Sequence, residues 1–277
     1  MTTKDDPVAE QSMSDVSAPS GMVESLLGSR NTPSQSEIDF LPQFLEQTEA
    51  TYLEFASKIF TPEFLEVMKA RDAMLRATDW PNIGQYRDAN AAVKNSPSCV
   101  FMGDSITEMW QIGDPSLFSA DVVNRGISGQ TSPQMLLRFM PDVVSLKPRA
   151  VHILSGVNDV AGNTGPTTFD DYTNNVIAML TLAENAGLSI IMGNYPLFER
   201  FAWAPHLEPR PWIARMNEWI ATTAKERGHI LADYCSAYSN SDGSIKADVL
   251  TDGVHPNYRG YALMRPVVDG VLAGIPV

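Results

Sequence analysis

Four short stretches of this 277-residue chain hold residue types that can do chemistry together. The first, Gly103-Asp104-Ser105-Ile106-Thr107, places a serine just after the apolar run Cys99–Gly103. A serine at a strand-to-helix turn presents its hydroxyl, and its backbone N–H lies where a helix N-terminus can stabilise an anion. Alone, Asp-Ser at a turn is more often a helix cap. The second, Asn124-Arg125-Gly126-Ile127-Ser128-Gly129-Gln130-Thr131, carries two glycines that permit close backbone approach. By itself, turn chemistry is its better explanation. In the third, Gly156-Val157-Asn158-Asp159, the Asn158 amide could donate to a developing oxyanion. An Asx turn is the plainer reading. The fourth, Asp252-Gly253-Val254-His255-Pro256, sets an acid three residues before an imidazole that it could orient. Pro256 biases His255 towards extended backbone.

Other chemistries find no support. No G-x-S-x-G elbow, G-x-G-x-x-G, P-loop, H-E-x-x-H or C-x-x-C occurs. His152 sits inside an apolar run and reads as a core residue, while His206 and His229 lack ligand spacing. Neither a metal nor a cofactor is expected. Cys99 and Cys235 cannot build a disulfide framework.

The elements that must position these stretches read as alternating strands and helices. CVFMG from Cys99, VVN from Val122, AVHILS from Ala150, LSIIMGN from Leu188 and HILADY from His229 are short, apolar and bounded by turn residues. Between them run amphipathic stretches, one opening at Ser132-Pro133 and another near Thr168, with a last one from Tyr258 to Leu272. Apolar strands alternating with helices imply a parallel sheet covered on both faces, with ligands at the strands' carboxyl ends. All four stretches lie there or in the terminal loop.

The N-terminal third is different. Residues 1–36 hold eight serines and no aromatic residue, and are expected to form a flexible tail. Residues 37–95 are expected to form a helical extension and 96–277 the main domain. Thr61-Pro62-Glu63 is a strong helix start, with Phe64, Leu65, Met68 and Leu75 following at helical spacing. Ile38, Leu41, Leu45, Tyr52, Phe55 and Ile59 follow a 3-and-4 spacing interrupted by Thr48 and by Pro42, which should begin rather than continue a helix. Three fates stay open for these apolar groups: packing on the main domain, a homodimer interface, or a lid over the site.

The net charge of −13 argues against binding a phosphate backbone or an anionic membrane, so no nucleic-acid partner is expected. No apolar run reaches the roughly 20 residues of a membrane span. The start MTTKDDPVAEQ is acidic where a secretory leader is basic, so a cytoplasmic location is the expectation for the sequence as it stands.

Together, in this order, Gly103-Asp104-Ser105, Gly129, Gly156-x-Asn158-Asp159 and Asp252-x-x-His255 resemble the four blocks of the SGNH hydrolase family, the GDSL esterases and lipases. The loop NRGISGQT and the final DGVHPN look most like the small bacterial acylhydrolases similar to platelet-activating-factor acetylhydrolase. The resemblance spans about residues 99–275. It implies a three-layer α/β/α sandwich with five parallel strands in flavodoxin-like order 2-1-3-4-5, in which Cys99 and Cys235 are free thiols. It implies Ser105 as nucleophile, His255 as general base and Asp252 as the group holding the imidazole tautomer. Ser105 N–H, Gly129 N–H and the Asn158 amide would form the oxyanion hole, with Asp104 and Asp159 structural. The reaction implied is hydrolysis of a short-chain ester, acetyl foremost, through an acyl-serine. The alcohol could belong to a sugar, an aryl group or a lipid fragment. Phe198, Phe201 and Trp203, after the fourth strand, with Trp110, are candidates to line the substrate pocket. An acyltransferase using the same triad and a non-catalytic glycan-binding protein of the same fold are the alternatives.

Overall fold

The computed structural model describes residues 35–275. Five strands form one parallel sheet: β1 (Cys99–Gly103), β2 (Val122–Gly126), β3 (Ala150–Leu154), β4 (Ser189–Gly193) and β5 (Ile230–Ala232). Their order is β2-β1-β3-β4-β5, as expected, with every pair parallel. Their side chains are buried almost throughout, which is why the strands read as continuous apolar runs. β5 is shorter than its apolar run because Asp233 turns the chain into a helix, accepting the Ser236 N–H.

Helices α5 (Ser105–Gly113), α6 (Ser132–Asp142), α7 (Val157–Ala161), α8 (Phe169–Asn185), α9 (Arg210–Arg227), α10 (Tyr234–Tyr238) and α11 (Tyr258–Ala273) connect and cover the strands. The chain moves from β1 to β2 in one direction and from β2 through β3 and β4 to β5 in the other. Right-handed crossovers therefore put α5 on the face opposite α6, α8 and α9. In agreement, α6 packs on α8, while α5 and α10 meet α11. The sheet's switch point lies between β1 and β3, and there Gly103 stands level with both Gly126 and Leu154. Three of the four chemical stretches thus leave the sheet side by side.

Three helices precede this unit, α1 (Gln35–Leu45), α2 (Glu49–Ile59) and α3 (Pro62–Thr78), followed by α4 (Arg87–Ala92). The tail expected over residues 1–36 lies outside the described residues but for its last two, which open α1. Contrary to expectation, Pro42 sits inside α1. The helix ends three residues later, so the one hydrogen bond proline forfeits is lost near a terminus already short of partners. Thr48 breaks the spacing because it is the N-cap of α2, and Thr61 caps α3 by accepting the Phe64 N–H.

The apolar groups of this region divide. Phe44 and Leu45 of α1 are buried in the main core, and α1 packs on α5. In α3 no residue is buried, and Leu65 and Met68 stay exposed. Among the described residues, no helix is long and apolar enough to cross a membrane. Cys99 is buried, Cys235 partly so, and both are free.

Candidate active site

Ser105 is the first residue of α5, and Asp104 is its N-cap, accepting the Ile106 N–H on Oδ1 at 2.9 Å. Asp104 Oδ2 also accepts the Tyr195 hydroxyl at 3.2 Å. Burial pushes the Asp104 carboxyl up to about 6. The serine hydroxyl is less open than a turn position suggested, since the residue is only 6 % exposed. What covers it is the loop before α11.

That loop brings His255 Nε2 to 2.8 Å from Ser105 Oγ and His255 Nδ1 to 2.8 Å from Asp252 Oδ2. The other Asp252 oxygen accepts the N–H groups of Val254 and His255, at 3.1 and 2.9 Å. Ionised Asp252 only accepts, so Nδ1 carries the imidazole proton and Nε2 is left to accept from the serine. Burial works against the Asp252 charge, yet the His255 charge and these hydrogen bonds hold the carboxyl below its ordinary range. For His255, burial acts to lower the pKa. The Asp252 charge and hydrogen bond, with the Asp104 charge, outweigh it and raise the imidazole above its ordinary 6.5.

This arrangement fixes a pH dependence. A base must be neutral to take a proton, so kcat/KM should fall about tenfold per pH unit below a midpoint lying above 6.5. The His255 contribution to stability has the opposite sign, being complete below 6.5 and lost as pH rises through the raised value. Between those values falling activity is therefore not unfolding. Asp252→Asn should move the limb to lower pH. An acid limb at or below 6.5 in the unaltered protein contradicts this account.

Asn158 and the Gly129 loop meet each other, joined through Gln130 and Asn163. Gly129 has φ +77°, a conformation that favours glycine. Asn158 donates one Nδ2 hydrogen to the Gln130 carbonyl at 3.0 Å. Gly156, with φ +129°, precedes it where a Cβ would strike Met216 and Tyr172, so Tyr172 and α9 pack directly under the loop. Asp159 accepts both the N–H and the hydroxyl of Ser132, tying α7 to the start of α6, a structural role. Under the loops lies the buried Arg138, which donates to the carbonyls of Gly103 and Arg125 and to Gln130 Oε1 and pairs with Asp142 at 3.0 Å. One guanidinium thus holds the ends of β1 and β2 and the Gly129 loop in register.

The four candidate pocket residues separate. Only Trp203 stands open beside the site, its ring 5.7 Å from that of His255; Phe201 is fully buried and supports it, stacked at 5.1 Å. Trp110 does not reach the site. It is wholly buried among Phe101, Phe118, Tyr234 and Tyr261. Five residues of helix turn a side chain about 500°, or 140° net, so Trp110 faces the core when Ser105 faces the cleft. Phe198 is likewise fully buried, against Tyr195. His152 is the core residue expected: it is fully buried, stacks on Phe101 at 4.4 Å, and burial brings its pKa down to about 3.

Sequence reasoning missed the residues that frame the site from α1, α3 and a short loop. The Phe44 ring stands edge-on to His255 at 5.6 Å. Its carbonyl accepts the Thr251 hydroxyl, and that of Gln47 accepts the Asn257 amide. Arg76 of α3 donates to the Asn163 carbonyl at 3.1 Å. A cleft of about 340 Å³ lies beside Gly129, lined by Asp72, Arg76, Trp80, Gln130, Gln134 and Asn163. Only the N-terminal apolar spacing hinted at any of this. The pairing of Phe44 with His255, 211 residues apart, leaves no local pattern.

The profile of the GDSL-like lipase/acylhydrolase family matches residues 101–263, which hold all five candidate residues. A solved Bacteroides fragilis protein assigned as an acylhydrolase is 33% identical, with a TM-score of 0.67, covering 71% of this chain and 98% of its own. A GDSL-like lipase from Bacteroides thetaiotaomicron is 32% identical, with a TM-score of 0.67 and coverage of 71% and 99%. The uncharacterized lipoprotein YqeF of Bacillus subtilis is 26% identical over 146 residues, 46% of this chain and 60% of that relative. The chain thus spans about three fifths of that curated relative. With more than half of its length matched, this chain belongs to the GDSL-like lipase/acylhydrolase family.

Proposed function

We propose that the chain is a serine esterase that hydrolyses short-chain carboxylic esters, acetyl foremost, through an acyl-serine intermediate. The observation that carries this reading is the hydrogen-bonded chain Ser105–His255–Asp252. Ser105 Oγ attacks the ester carbonyl carbon as His255 Nε2 takes its proton. Asp252 keeps the imidazole in the right tautomer and offsets the charge it gains. The carbonyl oxygen, now negative, accepts from Ser105 N–H, Gly129 N–H and the second Asn158 amide hydrogen. The proton passes from His255 to the departing alcohol. Water, deprotonated by the same nitrogen, then releases the acid and restores the serine.

The preference for small acyl groups rests on the walls. Phe44 and Trp203 both crowd His255, and Ser105 is nearly covered, which leaves little room for a chain. The mixed lining of the cleft beside Gly129, polar at Asp72, Arg76 and Gln134 and apolar at Leu75, Trp80 and Ile127, suits an alcohol with both hydroxyls and an apolar face, such as a sugar. A panel of aryl esters of increasing acyl length, run beside acetylated sugars, tests both. We expect kcat/KM to be highest for acetyl and to fall about tenfold or more by hexanoyl. Values rising with chain length would overturn the acetyl reading. With alcohols added, a transacylated product in place of free acid marks an acyltransferase.

A further inference from the structure

We propose that Asn163 is the positioning residue of the oxyanion hole, fixing the orientation of Asn158 and Gly129 through polar groups that are all engaged within the protein. This rests on the assignment of those two residues as oxyanion donors.

Asn163 follows α7 closely, and every polar group it carries is engaged. Its Nδ2 donates to Asn158 Oδ1 at 2.8 Å and to the Gly129 carbonyl at 3.3 Å. Its Oδ1 accepts from Trp203 Nε1 at 3.2 Å. Its backbone N–H donates to the Asn158 carbonyl at 3.1 Å, and its own carbonyl accepts from Arg76.

An amide has two faces of opposite use. If the Asn158 side chain flipped, its carbonyl oxygen would face the developing oxyanion and repel it. The Asn163 donor at Oδ1 and the Gln130 acceptor at Nδ2 together select one orientation, the one that leaves a second N–H free. Gly129 needs restraint for another reason: glycine has no side chain to hold its torsions, and the bond to its carbonyl supplies that hold. Asn163 could itself flip, but an indole N–H only donates, so Trp203 keeps Oδ1 on its side. Orientation thus passes from Trp203 through Asn163 to Asn158.

The test is a double-mutant cycle on an aryl acetate with Asn163→Asp, Asn163→Ala and Asn158→Ala. Asn163→Asp keeps the volume and the acceptor for Trp203 but removes the donor, so it serves even if the alanine variant melts early. Each Asn163 variant should lose about tenfold in kcat, with KM within about twofold. In the Asn158→Ala background the further loss should be under about threefold, because the group being aimed is gone. Asn158→Ala by itself should cost about 10²–10³ in kcat. Should it prove silent, the oxyanion assignment fails and this proposal with it. If it is costly and Asn163→Asp is silent, raises only KM, or costs the same in both backgrounds, the proposal alone is overturned.

Discussion

Replacing Ser105 by alanine should lower kcat on an aryl acetate by a factor on the order of 10⁴ or more and leave the melting temperature within about 2 °C of the parent. The side chain makes one hydrogen bond, to His255 Nε2, and contributes no apolar surface to the core. Fold and chemistry are therefore separable at this position. The local geometry survives the change, since Asp104 still caps α5 and Asp252 still holds the imidazole. What disappears is the atom proposed to become acylated. A phosphonate ester should label the unaltered protein at Ser105 and leave the alanine variant unmodified. Label on another serine, or activity within tenfold of the parent, would remove Ser105 from the mechanism.

Deleting residues 1–78 should be nearly as damaging to activity and far more so to stability. Burying a side chain the size of phenylalanine or leucine is worth about 1.5–3 kcal/mol, and α1 sets both Phe44 and Leu45 in the core. At about 2–4 °C per kcal/mol for a domain of this size, the melting temperature should drop by about 10 °C or more. Flanking the Asp252–His255 loop, Thr251 also loses its hydroxyl's acceptor in α1, and Asn257 one of its amide's two acceptors, in the turn after it. A chain lacking only residues 1–34 is the control and should keep the parent's values. A 1–78 deletion that stays soluble, stable and active refutes the packing reading. If it also passes from dimer to monomer, the region serves self-association instead.

The fold could be read from sequence because its strands are buried on both faces, which leaves short apolar runs that turn residues delimit. The strand order followed from the family resemblance. The Ser105, Asn158 and Asp252–His255 stretches were legible because a parallel sheet delivers its loops to one end. Legibility stopped where a side chain's direction matters more than its distance along the chain. Trp110 lies five residues from Ser105 and faces the core, whereas Trp203, in another loop, stands over His255. The apolar spacing of residues 38–59 announced burial but not against what. In α3 the same kind of spacing marked a helix, which is there, but not a buried face, since Leu65 and Met68 remain in solvent. Asn163 looks in sequence like any loop asparagine; only its five hydrogen bonds set it apart.

The contact of Phe44 with His255 and of Arg76 with Asn163 carries a consequence for how such a protein can change. The proposed reacting groups all come from the stretch shared with the family, residues 101–263, whereas Phe44 of α1 and Arg76 of α3, upstream of it, reach His255 and Asn163 from outside that stretch. The surroundings of the proposed site are thus drawn from two parts of the chain. On the proposed reading, substitutions at Asp72 or Leu75 of α3 would alter the cleft that takes the alcohol without touching a proposed reacting group, whereas Arg76 is tied to Asn163. α1, which lends the core Phe44 and Leu45, is by contrast bound to the proposed reacting loop through Phe44 and is the less free of the two to vary.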